Sequence, residues 1–493
     1  MAIKLIYGDL PLGAAEDAEV TTADHKSFSD PAMLPVGVSS GAIATLEQNC
    51  WGLSPEIKTR GSQQIAFWSE HPSVYNCYFP TPPKIEISFD GQYAASGLTF
   101  RFSPENNEYC NHIYVEWWQN GEIKESGEFF PTSPNYVAEK AVEAFDKVVV
   151  QFLATNFPFR RVKLEALIIG VIREIGKKEL LSAQYINEID LLSTSIPINV
   201  VDAEFITEAK TDLIFQKRQP VEVYNDSEFV GVYYVESGSR IGERRYSISC
   251  QDAIGILDSG TYSGGFWLEE VSAVEILNEI VDGIFELDID ENLLSSTVKG
   301  YMPELTKRAA LQYVAFALGA IVDTSGSTKI KIFLPPAGDG LAIPPAETYT
   351  GGKLSTSDIV TKVIVRGYDI QNKEPTEPWD TSITINKKQY EYYSRNGVAI
   401  NPNVPEGTLP NVIEFADNYL ISDRNMAQAR ADAILAYYMR RNSYNVSHVS
   451  KGEKPSARVN ISLPWGGAQN GSIIKMQVVS TGITVSNSDI LLD

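Results

Sequence analysis

Histidine and cysteine are scarce in this chain: four of each are spread through 493 residues. His25, His71, His112 and His448 stand apart, and nothing in their spacing gathers a metal site or a catalytic triad. Cys50, Cys77, Cys110 and Cys250 form no CxxC pair. That argues against a zinc site or a disulfide scaffold, and for free thiols made in a reducing cytoplasm. Basic residues are outnumbered, with 41 Lys and Arg against 63 Asp and Glu, for a net charge of −22. The acidity disfavours a broad grip on nucleic-acid phosphate, though not a surface past which DNA slides without sticking. No run approaches the roughly 18 unbroken apolar residues of a membrane span, so no stable membrane insertion is expected. Met1 to Asp9 reads as a short strand without the apolar core and cleavage site of a signal peptide. Walker, GxGxxG, HExxH and GxSxG motifs are all missing. No catalytic residue, cofactor or metal is expected.

What is present is enough to build cores. Apolar residues make up 43% and aromatics 10%, which excludes a wholly disordered chain. At the usual domain size the length corresponds to three or four domains.

The texture changes along the chain. Residues 25–168 are rich in aromatics, Pro, Asn and short alternating strands, the pattern of a β-sandwich or jelly roll. Glu86 to Phe89 leads to a turn at Asp90-Gly91, and Leu98 to Ser103 alternates as a half-buried strand does. His112 to Trp118 is a strand that turns at Asn120-Gly121, a strong hairpin signal. Residues 169–265 hold further strands, with a hairpin at Asn225-Asp226 between Val221-Glu222-Val223 and Phe229 to Glu236. Gln251 to Asp258 reads as one helical turn. Residues 266–338 form a small α+β module. Its first helix puts Val274, Leu277, Ile280 and Val281 on one face. Its second is capped by Thr306 and stopped by Gly319. A hairpin then runs from Ala320 to Leu334. Leu334 to Gly340, with Asp339, is a linker by composition. Residues 339–493 are mostly β, with one helix from about Asp423 to Arg441, capped by Ser422 and closed by Arg440 and Arg441.

Chemistry-bearing residues are few. Asp90, Glu105, Glu108 and Glu116 are the carboxylates a glycosidase pair would be drawn from, although 63 acids make such clusters by chance. Tyr109, Tyr114, Trp117 and Trp118 form an aromatic group. Such rings either fill a core or stack on a ligand, and adjacent Trp117 and Trp118 face opposite ways on a strand. Tyr109, Trp117 and Trp118 are therefore the candidate ligand or partner contacts. Arg244-Arg245 and Lys217-Arg218 are basic spots that suit either subunit salt bridges or a solvated strand edge.

The order of these textures resembles the baseplate-hub or tail-tip proteins of tailed phages and phage-tail-like particles, of the late-control protein D type. The Val221 to Tyr233 strand pair and the string Ser249 to Asp258 carry the likeness, which covers roughly residues 170–490. Ser96 to Ile123 is similar to a discoidin-like or carbohydrate-binding-like sandwich. The implied fold is mainly β with a small α+β module: a β-sandwich insert plus two hub β-barrel-like domains. Residues 1–24 would be the first hub strand and linker, with the sandwich inserted after Ala2 to Tyr7.

The resemblance implies a homotrimer whose two barrels per chain make a pseudo-sixfold ring. That ring would join a hexameric tail tube to the tip, passing tape-measure protein and DNA. It would contact a distal tail or tube-terminal protein and other baseplate proteins, and an acidic lumen would repel phosphate. The place implied is the virion tail tip or baseplate, after synthesis in the host cytoplasm. No hydrolase domain follows the hub, so lytic activity would sit on another protein. Host surface glycan is a further partner to consider. A cell-surface glycan-binding module and a cell-wall hydrolase are the competing functions.

Overall fold

The computed structural model describes residues 3–14, 17–38, 47, 66–103, 107–207, 213–338, 340–349, 351–370, 381–385, 388–449, 452–481 and 484–493. Ala2, Cys50, Glu105 and Asp339 lie outside these residues. The described chain is mainly β, with 33 strands and four α-helices. Among the described residues no helix is long and apolar enough to cross a membrane.

Burial alternates along Ile3–Gly8, so Ile3, Leu5 and Tyr7 fall on one face, and all three are buried. This strand pairs antiparallel with Pro220–Asn225, Ile3 opposite Asn225, and with Ile172–Ile175, Gly8 opposite Ile172. The second register is decisive. Gly8 and Ile172 sit side by side where a hairpin would turn, so residues 9–171 are an insertion into a hairpin.

The first strand belongs to a thirteen-stranded sheet. From Ile172–Ile175 the path runs through Ile3–Gly8, Pro220–Asn225, Glu228–Arg240, Arg245–Gln251 and Val200–Ile206 to Leu180–Glu188. The expected hairpin forms, with Asn225 paired to Glu228 and Asp226 in the left-handed region at φ 55°. Leu180–Glu188 then pairs with Ala468–Ser480, from Ala183 opposite Ser480 to Glu188 opposite Lys475. Beyond this seam the sheet continues through Thr484–Leu492, Asn442–His448 and Lys353–Thr356. The first half of Ala468–Ser480 also holds Arg458–Ser462. Both β units close on one core, where Leu5, Tyr185, Val201 and Tyr246 meet Tyr444, Val459, Met476 and Ile490.

The four helices are α1 Ala253–Asp258, α2 Ala273–Val281, α3 Lys307–Leu318 and α4 Arg424–Met439. The Thr306 hydroxyl caps α3 by accepting from the Ala309 amide at 3.2 Å, and Gly319 closes it at φ 68°. In α2 the buried face is Ile276, Leu277, Ile280 and Val281; Val274 is only half-buried, so the apolar face is turned from the expected one. Asp423, not Ser422, caps α4, because its carboxylate reaches the Asn425 and Met426 amides at 2.7 and 2.9 Å. Helix α4 stops at Met439. Arg440 leaves the helix axis to donate to the Leu491 carbonyl at 2.6 Å and to pair with Asp493 at 3.0 Å.

Helices α1 to α3 do not bury their faces on their own hairpin alone. They share a core with α4 and with Val363, Val365 and Ala399 of a three-stranded sheet. Residues 339–493 thus divide between two bodies, because the small apolar face of α4 (Ala427, Ala431, Ile434) needs the helical body to cover it.

The insert is a seven-stranded sheet built on two long neighbours, Lys84–Phe102 and Asn135–Thr155, in register from Lys84 opposite Gln151 to Arg101 opposite Asn135. Cys110–Gln119 and Glu122–Phe129 extend it on one side, Lys163–Ile169 and Phe67–Trp68 on the other. Inward residues from every part of the sheet, among them Ile87, Phe100, Trp117, Phe152 and Leu167, form one core. The hairpin turn at Asn120-Gly121 forms, with Gln119 opposite Glu122. The turn expected at Asp90-Gly91 does not. The strand runs straight through it with shifts of register, and Asp17 accepts from the Gly91 amide at 3.2 Å and the Tyr93 hydroxyl at 2.9 Å. An Asp-Gly pair turns a strand only if the next segment pairs back, and here Asn135–Thr155 is the better partner.

Candidate interaction surfaces

The candidate carboxylates are committed elsewhere. Glu108 is buried against Arg160 at 2.6 Å and Lys163 at 2.8 Å, and Glu47 also pairs with Lys163. Two carboxylates face one guanidinium and one ammonium, a balanced buried cluster that fixes the turn before Lys163–Ile169. Glu116 accepts from the Trp118 indole at 3.0 Å, and Asp90 is exposed at the long strand. The histidines stay apart. His25 contacts Ser29 at 3.1 Å, His112 contacts Glu128 at 3.2 Å, and His448 contacts Ser488 at 2.8 Å. His71 is exposed. Among the described residues no group of three or more His, Cys, Asp or Glu is arranged to hold a metal. Cys77, Cys110 and Cys250 are free thiols, and burial pushes the last two well up.

Of the aromatic group, Trp117 is 0% exposed and packs edge-on to Phe129. Enclosed in the insert's core, it cannot meet a ligand, which corrects its inclusion among the contacts. Trp118 points the other way, half-buried under the Lys147 ammonium, 4.4 Å from its ring centre. Tyr109 is also half-buried, and its backbone pairs with Asn156. The structure therefore separates the three. The basic spots are engaged within the chain: Arg245 pairs with Glu204, Lys217 with Glu236 at 2.5 Å, and Arg218 donates to Ser259 at 3.3 Å.

Two buried carboxylates escaped the sequence reading. Asp9 lies where the insert joins the sheet. It accepts from the Ser96 amide, the Ser96 hydroxyl at 3.2 Å and the Val171 amide, while Gln219 donates to its carbonyl at 2.5 Å. Burial raises its pKa. Asp252 caps α1, accepting from the Ile254 and Gly255 amides at 3.1 and 3.2 Å and from the Thr324 hydroxyl at 2.6 Å. Asn199 donates to that hydroxyl at 3.0 Å, which ties the first β unit to the helical body. Burial pushes Asp252 up to about 6. An Asp just before the apolar run Ala253 to Leu257 is a cap signal. Nothing local marks Asp9.

No protein-family model matches the chain, and no curated protein matches it. Its structure is similar to the tail protein from Neisseria meningitidis MC58, at 12% identity and TM-score 0.46, over 66% of this chain and 94% of that one. It is similar to the 43 kDa tail protein of prophage MuSo2 from Shewanella oneidensis, at 11% identity and TM-score 0.45, over 65% and 95%. A prophage tail protein from Listeria monocytogenes EGD-e is similar at 10% identity and TM-score 0.44, over 64% and 90%.

Proposed function

We propose that the chain is a structural hub subunit of a phage or phage-tail-like particle, at the tail tip or baseplate. Three copies close a ring that joins the hexameric tail tube to the tip, and tape-measure protein and DNA pass through it. The observation that carries this reading is the seam between Leu180–Glu188 and Ala468–Ser480. It gives one chain two β units on a common core, so three chains supply six units around an axis. The sequence likeness over residues 170–490 supports the same reading. The charge of −22 suits a channel that phosphate must traverse without sticking. Its neighbours are a distal tail or tube-terminal protein, the tape-measure protein and other baseplate proteins, all made in the host cytoplasm before assembly. Mass photometry is expected to find a species near 164 kDa, three times 54.5 kDa, and electron microscopy a ring. A strictly 54.5 kDa species at high concentration and in the presence of tail-tube protein defeats the proposal. A ring with a basic lumen defeats the DNA-transit part.

A second role, recognition of host surface glycan by the insert, is compatible with the first. It is favoured by exposed rings at the end of the insert away from the sheet.

A further inference from the structure

Four loops of the insert meet at its far end. They are the turns at 73–78, 107–109, 130–134 and 156–160. Strand Lys163–Ile169 starts beside them and ends at the Asp9 junction, so the two ends are roughly 20 Å apart. Hydrogen bonds lock three of these loops, 73–78, 107–109 and 156–160, together. Thr155 Oγ1 lies 2.7 Å from both Ser73 Oγ and the Phe157 carbonyl. The Ser73 amide donates to the Arg160 carbonyl at 2.8 Å, and the Thr155 amide to the Cys77 carbonyl at 3.0 Å. Asn156 bridges to the Asn107 carbonyl and the Tyr109 amide at 2.8 and 3.1 Å.

This rigid base holds large rings in water. Tyr75 is 79% exposed, and Tyr78, Phe130, Phe157 and Phe159 are all exposed. Tyr78, His112 and Phe130 form a row: the His112 ring stacks on Phe130 at 4.7 Å and meets Tyr78 edge-on at 6.2 Å. Aromatic surface this exposed is unfavourable unless something covers it.

The chemistry of the patch selects the occupant. Every large apolar side chain in it is aromatic; no exposed Leu, Ile, Val or Met joins them among the described residues. The neighbouring cations are turned inward. Arg160 and Lys163 are spent on Glu108, and Arg161 donates to the Ser69 carbonyl at 3.2 Å. Among the described residues of the four loops the one Lys or Arg is Arg160, held by Glu108, so these loops offer no free cation to phosphate or to an anionic lipid surface. Flat π faces with phenol hydroxyls at their rims match a pyranose ring, whose C–H face is weakly positive and whose hydroxyls lie at its edge. We propose that this tip is a carbohydrate platform for a neutral pyranose polysaccharide, with Tyr75, Tyr78 and Phe130 as stacking residues. The proposal rests on the glycan role given above and not on the ring.

The test is binding of the full chain to an array of neutral pyranose oligosaccharides, followed by titration of the best binder. Teichoic acid and zwitterionic phospholipid vesicles serve as comparison probes. Tyr75→Ala and Phe130→Ala are each expected to weaken binding about three- to tenfold, and the double variant more than either. Tyr75→Trp should retain binding, Trp118→Ala should leave it unchanged, and thermal unfolding of all variants should match the parent. Binding to no neutral saccharide overturns the proposal, as does binding that the tip variants leave intact or that only teichoic acid or vesicles show. Mass photometry on the same samples separates the two readings. A trimer without glycan binding defeats only the platform, and a monomer that binds glycan defeats only the ring.

Discussion

Replacing Asp252 with Asn separates charge from hydrogen bonding at the joint between the first β unit and the helical body. The carboxyl is fully enclosed, and burial holds its folded pKa at about 6 against an ordinary 3.8. The folded protein therefore keeps a proton that the unfolded chain releases. The resulting stability is fully present below pH 3.8 and is lost as pH rises through about 6. At 1.36 kcal/mol per unit, the full swing is about 3 kcal/mol. In Asp252→Asn the amide oxygen can still accept from Ile254 and Gly255, while the Thr324 hydroxyl loses its acceptor, a cost of about 1 kcal/mol. The variant should thus be less stable than the parent near pH 4 by about 1 kcal/mol, and more stable near pH 7 by about 2 kcal/mol. The assay is hydrogen exchange of the α1 amides from pH 4 to 8, corrected for intrinsic rates, in both proteins. A stability difference that stays flat across that range would show that Asp252 does not titrate there, and the argument from burial would fail.

Trp117→Ala should lower insert stability by about 3–5 kcal/mol, since it empties a fully enclosed site, whereas Trp118→Ala should cost under about 1 kcal/mol; thermal unfolding compares them. Gly319→Ala should destabilise the helical body by about 2 kcal/mol, read from the denaturant midpoint. It combines a left-handed φ of 68° with a Cβ that meets the Arg430 guanidinium. Asp9→Ala strands the Ser96 and Val171 amides and should cost about 2 kcal/mol or more. It should also let the insert swing, seen as a larger radius in small-angle scattering and faster proteolysis near residues 9–17. An unchanged profile would mean that Asp9 does not clamp the junction.

Local signals in the sequence carried far where the structure is local. Thr306 and Gly319 bound α3 as read, the Asn120-Gly121 hairpin forms, and the split of Trp117 from Trp118 follows from strand alternation. Reading failed where a distant partner decides. Asp90-Gly91 stays extended because Asn135–Thr155 lies alongside. The faces of α2 and α4 are set by a common core assembled from residues more than a hundred apart. Asp9 becomes a clamp only when residues 96 and 171 arrive beside it. The exposed rings at the tip were present in the composition, but their convergence depends on four loops meeting in space.

The hairpin insertion also has a temporal meaning. Ile3–Gly8 emerges from the ribosome well before its partners, residues 172–175 and 220–225. At about 5–20 residues per second, the strand waits roughly ten to forty seconds for them. Meanwhile the insert can complete its own sheet, since all its strands lie between residues 18 and 169. The growing chain therefore carries a finished domain behind an unpaired strand. Slowing translation before residue 220 should lengthen the period in which that strand is open to chaperones or to a neighbouring nascent chain.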